Sequence, residues 1–537
     1  MKKLILFLSV VAFFSQAISS QVQEYDIVVY GGTSAGIMAA VQSSRLNKSV
    51  ILIHPGEHIG GMTSSGLSCA DTDQHTLIGG VTREFFANVR RYYQNDAAWP
   101  FEAKRPIKDR NGKLKSDVKT MWVFEPRVAE GIFKAMIKTA KVPVVLNERL
   151  DLANGVEKEG KEILQIHMES GNIYKARVFI DATYEGDLMA GAGVSYTVGR
   201  ESNALYGETL NGIRPVIADS HVHIDPYVIK GDPESGFLPR VYPNAGGSDG
   251  EADQGVQAYT YRLCLTDVPE NRVMIEKPID YDESEYEILF RAVESRVHRF
   301  FKTCPLPNRK ADCNNTGIVS IDYIGKSWEW TEADHAKRQE IAYAHQKWQR
   351  GLLWTLQNHP RIPPSIKKIY APWGLAKDEF IKNNHWPYEL YVREARRMVS
   401  STIITEHTAL GKKEVKDGVG LATYAIDSHN AKYYVNSKQE VALEGGIYVK
   451  ISDSFPISYG ALVPKKGECQ NLIVPVCLSA THVGYAPIRM EPTFMVLGQS
   501  AATAAALSID LALSVQDLPY ALLKSQLLRD GQVLEVP

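Results

Sequence analysis

Tyr25-Asp26-Ile27-Val28-Val29-Tyr30-Gly31-Gly32-Thr33-Ser34-Ala35-Gly36 is the stretch that decides the fold. Its first six residues are β-branched, apolar and closed by glycine, the pattern of a buried strand. Beyond the glycine turn, Ile37 to Arg45 reads as an Ala-rich helix and Val50-Ile51-Leu52-Ile53 as a second apolar strand. Strand, glycine turn, helix and strand in that order turn a glycine motif into a dinucleotide-binding unit. Gly31 permits the tight turn, Gly36 permits close helix–strand packing, and the helix N-terminus offers free N–H groups to a pyrophosphate. Thr33 replaces the usual middle glycine, with Gly32 beside it. His54 stands where the second strand normally ends in a carboxylate that accepts from ribose hydroxyls. Glu57, three residues on, is the expected substitute.

Working outward, Gly60-Gly61-Met62-Thr63-Ser64-Ser65-Gly66-Leu67 places small and hydroxylated residues directly after the second strand, where backbone can approach a flat, phosphate-bearing ligand. Ala129 to Lys138 has helical spacing and Val142 to Leu146 reads as a strand. Ile163–Met168 and Ile173–Ile180 form a hairpin around Gly171-Asn172. Helical patterns recur over Glu283–Phe301 and Glu332–Leu356. Late in the chain, Leu472 to Val476 reads as a strand, Cys477 to Gly484 as a loop, and Pro492 opens a helix of small residues.

The composition is that of a soluble globular protein: 537 residues, 44% apolar and 23% charged. This length suggests about three domains, or two with large insertions. A net charge of −2 gives no footing for nucleic acid, which needs clustered excess Lys and Arg. Lys2-Lys3, the apolar run Leu4–Phe14 and the small residues Ala17 and Ser19 match a secretory leader cleaved near Ser20 or Gln21. The run is too short for a membrane span, which takes ~20 apolar residues. None of the six cysteines forms a CxxC pair. Cys304 and Cys313 flank a polar loop and are a candidate bridge, left open; the others read as buried thiols, with Cys69 a minor candidate for a redox-active or flavin-linked group.

The chain resembles the FAD-dependent oxidoreductases of the glutathione-reductase-like superfamily, and within them exported bacterial proteins, some labelled xanthan lyase. The resemblance is carried by Gly31 to Gly36, Gly60 to Leu67, Ile78-Gly79-Gly80-Val81, Phe124-Glu125-Pro126, Asp181-Ala182-Thr183-Tyr184-Glu185-Gly186-Asp187-Leu188, Tyr261-Arg262-Leu263-Cys264-Leu265-Thr266 and Arg393-Glu394-Ala395-Arg396-Arg397-Met398. It implies an α/β fold: a Rossmann-like FAD-binding domain of the glutathione-reductase type with a large inserted α+β cap. The expected division is a leader over 1–20, FAD-binding segments over 21–200 and 441–515, a cap over 201–440 and a tail over 516–537. It further implies that the Leu150 backbone contacts adenine, that Ala182 and Thr183 return to the nucleotide, and that Arg489 and Glu491 approach the isoalloxazine. The late helix would point its positive N-terminus at the flavin.

A flavin accepts a hydride, so the protein must orient a substrate C–H and handle a proton. His482 is the first candidate acid/base, ahead of His75, His385 and His429. Arg262 and Arg393 are candidates to hold a hydroxylated or anionic substrate. The expected activity is oxidation of a small hydroxylated or saccharide-like compound, with an unidentified electron acceptor, no nucleic-acid partner and no membrane span once the leader is removed. The alternatives are a polysaccharide lyase and a glycan-binding protein. Six of the eight tryptophans lie between 328 and 386; they read chiefly as core, with sugar stacking the other use.

Overall fold

The computed structural model describes residues 22–105, 119–215 and 222–536; the expected leader falls outside them. The central sheet is built from β1 (Val22–Tyr30), β2 (Val50–Ile53), β3 (Val144–Val145), β4 (Val156–Glu159), β5 (Glu162–His167) and β6 (Ile173–Asp181), in the order β3-β2-β1-β6-β5-β4. The strand Leu472–Ile473 also joins it, parallel to β6. β1 runs parallel to both β2 and β6, with Tyr30 level with Ile53 on one side and Asp181 on the other. Three strands therefore end at one edge, and the residues just beyond them, Gly31, His54 and Ala182, meet there. That edge is where open α/β sheets place their ligands.

Ile27, Val28, Val29 and all of β2 are buried, as expected for parallel strands covered on both faces. The first helix, α1 (Ser34–Arg45), lies against the late helix Glu491–Leu511. Small residues let these helices meet closely: a Cβ on Gly498 would fall 2.1 Å from the Ala35 carbonyl oxygen. The late helix is long and apolar enough to cross a membrane, but 83% of its most apolar window is buried inside the protein. It is a core helix here. The helices α2 (Gly61–Ser64), α3 (Gly80–Tyr92) and α4 (Pro126–Ala140) complete this layer.

Between β6 and Leu472 the chain builds other structure. A five-stranded antiparallel sheet takes the order Arg272–Val273, Gly374–Ala376, Cys264–Thr266, Lys310–Asn314, Lys302–Leu306. The helix His335–Asn358 is the longest element of this region. The helical pattern over Glu283–Phe301 yields a 3-10 turn over Glu283–Tyr286 and an α-helix over Glu287–Glu294, and ends early where Arg296 takes a positive φ of 65°. Trp330, Trp348 and Trp386 are buried; Trp328, Trp354 and Trp373 are partly buried and pack on the same core.

The cysteines pair differently from expectation. Cys304 is bonded to Cys69, and Cys313 is a buried free thiol. Cys304 stands opposite Asp312 and Thr303 opposite Cys313. Successive strand residues alternate faces, so Cys304 and Cys313 point to opposite sides of the sheet and cannot bridge. The free-thiol reading of Cys69 falls with the same bond.

Candidate functional site

The glycine turn is tightly built. Gly31 has a φ of +109°, and a Cβ on Gly36 would sit 1.9 Å from the Gly31 carbonyl oxygen. Thr33, the departure from the glycine pattern, has a positive use. Its hydroxyl donates to the Ala182 carbonyl at 2.7 Å and accepts from the Gly36 N–H at 3.3 Å. It is the N-cap of α1 and ties the turn to the end of β6. The first amides of a helix have no intrahelical partners, and capping takes up that of Gly36, so the Ser34 and Ala35 amides remain to face an anion.

Glu491, at the start of the late helix, is buried and accepts from Thr63 Oγ1 at 2.8 Å and Tyr184 Oη at 2.6 Å. The Tyr184 hydroxyl in turn accepts from the Met62 N–H at 2.9 Å. Burial raises the Glu491 carboxyl above the usual carboxylate range, and the hydrogen bonds from Tyr184 and Thr63 oppose that rise. Ser34 Oγ approaches this carboxylate without hydrogen-bond geometry and is a buried hydroxyl lacking a partner. The Gly60-Gly61-Met62-Thr63 segment is held to the turn by the Gly60 N–H donating to the Gly32 carbonyl at 2.7 Å. Gly31 to Gly36, Gly60 to Thr63, Ala182, Thr183 and Glu491 thus converge on one place. The close glycine turn and the free helix amides fit a dinucleotide pyrophosphate.

His54 packs under the turn, and its Nδ1 accepts from the Gly32 N–H at 3.0 Å. Its Nε2 faces Glu389 at 3.4 Å, whereas Glu57 is exposed. Leu150 has both backbone polar groups engaged within the protein: its N–H donates to Tyr30 Oη at 3.0 Å, and its carbonyl lies 3.1 Å from His335 Nε2.

A second cluster continues from the turn. Gly66 abuts the Arg262 backbone, and Arg262 makes a two-pronged pair with Asp312 at 2.9 and 2.6 Å. Asp312 also receives the Ser68 and Cys69 amides. Arg489, two residues before Glu491, is buried and donates to Tyr391 Oη at 3.0 Å and the Asp427 carbonyl at 2.7 Å. Its Nε has no partner. Arg393 and Arg489 both face the Tyr391 ring, and Arg393 pairs with Asp322 at 3.0 Å.

Asp322 also holds His429, Oδ2 to Nδ1 at 2.7 Å. Burial alone would raise the Asp322 carboxyl, but the charges of Arg393 and His429 outweigh it and hold it low. A carboxylate on Nδ1 fixes the proton there and leaves Nε2 with its lone pair. Burial, reinforced by Arg393, pushes the His429 imidazole below its ordinary value, so the ring is neutral near pH 7. Burial raises the Asp71 carboxyl to about 6, with Arg262 and Arg489 pulling it down and Asp427 and Asp312 pushing it up.

His482 occupies a different environment. Its Nδ1 lies 2.7 Å from Glu394 Oε2, and its Nε2 lies 3.0 Å from Ser428 Oγ. Burial would raise Glu394, but His482 and Arg397 hold it at about 2. The Ser428–His482–Glu394 order has the chemistry of a nucleophile relay. All three side chains are buried. Both ring nitrogens of His482 are committed to the protein. The sequence reading did not single out Asp322, Tyr391, Glu389 or Asp71. A groove formed by α1, α3 and α4, lined by Arg45, Glu84 and Arg127 among others, contains none of these residues.

The sheet edge and its glycine turn define a dinucleotide-binding protein. The chain belongs to the FAD-dependent oxidoreductases, whose family description, FAD dependent oxidoreductase, matches residues 26–527. It is an enzyme of that class, and its cofactor is FAD. No curated protein matches the chain. Among solved structures it is similar to a geranylgeranyl bacteriochlorophyll reductase-like protein of Thermoplasma acidophilum, at 12% identity over 95% of this chain and 85% of that one, with a TM-score of 0.36. It is also similar to L-proline dehydrogenase from P. horikoshii, at 15% identity over 34% of this chain and 59% of that one, with a TM-score of 0.24. L-Amino acid deaminase from Proteus myxofaciens matches at 15% identity over 34% and 51%, with a TM-score of 0.24. Likenesses this slight carry no argument about substrate.

Proposed function

We propose that the protein is an exported oxidoreductase that oxidises a small hydroxylated, saccharide-like compound. In this reading the FAD-binding part is of the glutathione-reductase type, divided between residues 21–200 and 441–515, and residues 201–440 form the cap over the substrate. The observation that carries it is the pairing of an oriented histidine with a buried, incompletely partnered guanidinium: His429 on Asp322, and Arg489 beside Tyr391. FAD, held at the glycine turn, would supply the hydride-accepting group. His429 Nε2 takes the hydroxyl proton from the substrate, while Asp322 stabilises the imidazolium that results. Arg489 binds the substrate oxygen or an acidic group beside it, and burial keeps water from competing for those contacts. Arg262 and Arg393, each committed to an aspartate, position the site from behind. His482, the first candidate from sequence, acts here as a buried strut for Glu394. The Cys69–Cys304 bond supports the export reading, because such bonds persist in oxidising compartments.

The test is anaerobic mixing of purified holoprotein with a panel of sugars, polyols and hydroxy acids while following flavin colour. Reduction by a panel member supports the proposal. Glycans that bind or are cleaved while the flavin stays oxidised would overturn it. Sequencing the N-terminus of the secreted product tests export: a start near Gln21 is expected, and a retained Met1 in an unexported protein would refute it.

A further inference from the structure

His54 leaves the nucleotide site without the carboxylate that usually closes β2. Glu57, the local substitute, is exposed. The carboxylate that reaches His54 arrives from more than three hundred residues downstream: Glu389 Oε1 lies 3.4 Å from His54 Nε2. The tautomer follows from the other nitrogen. Because the Gly32 N–H donates to Nδ1, the ring proton sits on Nε2 and is directed at Glu389.

The segment bearing Glu389 is clamped onto the β2 turn. Tyr388 stacks on His58, with ring centroids 3.3 Å apart and planes within 7°. His58 is itself fixed by Glu130 at 2.9 Å. On the near side, Asn383 donates to the Trp386 and Pro387 carbonyls; on the far side, the Tyr391 N–H donates to the Thr260 carbonyl. Trp386 and Leu390 are buried, while the Glu389 side chain stays 22% exposed. Burial raises the Tyr184, Glu185 and Glu491 groups and the Glu389 charge raises them further; they lie just beyond β6 and at the start of the late helix. The contact of Glu389 with His54 leaves acceptor capacity unused on both oxygens.

We infer that Glu389 supplies the carboxylate for the adenosine ribose that β2 lacks, with His54 as its positioning residue, so that the region between β6 and Leu472 takes part in holding the cofactor. The inference rests on the FAD reading of the glycine turn. It names the chemistry recognised: vicinal ribose hydroxyls, which a carboxylate can accept from and a neutral amide matches less well.

The experiment uses apoprotein prepared from the full chain, titrated by calorimetry with FAD, ADP and 2′-deoxy-ADP. The parent should take up FAD and prefer ADP over 2′-deoxy-ADP by about tenfold, the order expected for one charge-assisted hydrogen bond. Glu389→Gln should lose that preference and weaken FAD by a similar factor; Glu57→Gln should match the parent. A merely structural Glu389 would weaken both nucleotides equally and keep the preference, which overturns the inference. Parent-like FAD and ADP affinities in Glu389→Gln overturn it too. A parent apoprotein that takes up no FAD refutes the underlying cofactor reading instead, so the two failures are distinct.

Discussion

Replacing His429 by Gln removes the imidazole while keeping a polar side chain beside Asp322. The 2.7 Å contact with Asp322 fixes the proton on Nδ1, so the parent ring presents a basic Nε2, and Gln presents no base. A positioned acid/base group contributes typically ~10²–10⁴-fold, which is about 3–5 kcal/mol of barrier at 1.36 kcal/mol per decade. His429→Gln should therefore slow single-turnover flavin reduction by that factor at unchanged FAD content. Asp322→Asn should lose activity as well, because the ring is no longer held in the right tautomer. The pH profile adds an independent signature. Burial and Arg393 lower the His429 value, so protonation, which disables the base, sets in below the ordinary ~6.5. The parent rate should climb with pH along an acid limb centred under that value, and the limb should vanish in His429→Gln. The assay is anaerobic stopped-flow across pH, with FAD content measured after denaturation. A variant with the parent's rate, or one that keeps the acid limb, would refute the assignment.

Gly36→Ala places a methyl 1.9 Å from the Gly31 carbonyl oxygen, a backbone atom that cannot swing aside; the purified variant should be folded by circular dichroism but depleted of FAD, and full yellow colour would contradict the turn's role. Lys310→Met should destabilise the protein by about 3–5 kcal/mol in denaturant titration, because Lys310 Nζ sits 2.6–2.8 Å from Glu125, Asp378 and Glu379. Burial, against the pull of Lys310, raises Glu379 to about 7; without Lys310 that carboxyl goes higher still, so the loss should be largest at alkaline pH and shrink as pH falls toward 7 and the folded variant takes up the proton, and a pH-independent loss would count against the pairing. Mass mapping of the unreduced protein should find Cys69 joined to Cys304 and Cys264, Cys313, Cys469 and Cys477 alkylated only after unfolding, since all four are buried; a Cys304–Cys313 peptide would contradict the strand register.

The cofactor half of the molecule is legible in the sequence because its signals are local. The glycine turn, β2 at Val50–Ile53, the hairpin around Gly171-Asn172 and the late helix each lie within one short window. Their observed bounds differ from the expected ones by a few residues at most, with the strand over Val142–Leu146 shortened to Val144–Val145. The proposed substrate side is not legible in this way. His429 acquires its character from Asp322, 107 positions away, and His482 loses its freedom to Glu394 and Ser428. Histidines look alike in a sequence until their partners are known. The disulfide has the same cause: face alternation between paired strands separates Cys304 from Cys313, and no spacing rule foretells a partner 235 residues distant.

In the proposed reaction a small hydroxylated compound gives its hydride to the bound flavin and His429 takes the proton. The most direct measurement is anaerobic reduction of the parent, His429→Gln and His482→Gln holoproteins by the best substrate of the panel. Rapid bleaching is expected in the parent, with a loss of about 10²–10⁴-fold in His429→Gln and a far smaller change in any His482→Gln protein that folds and keeps its FAD. Bleaching that is lost in His482→Gln and intact in His429→Gln would contradict the His429 assignment.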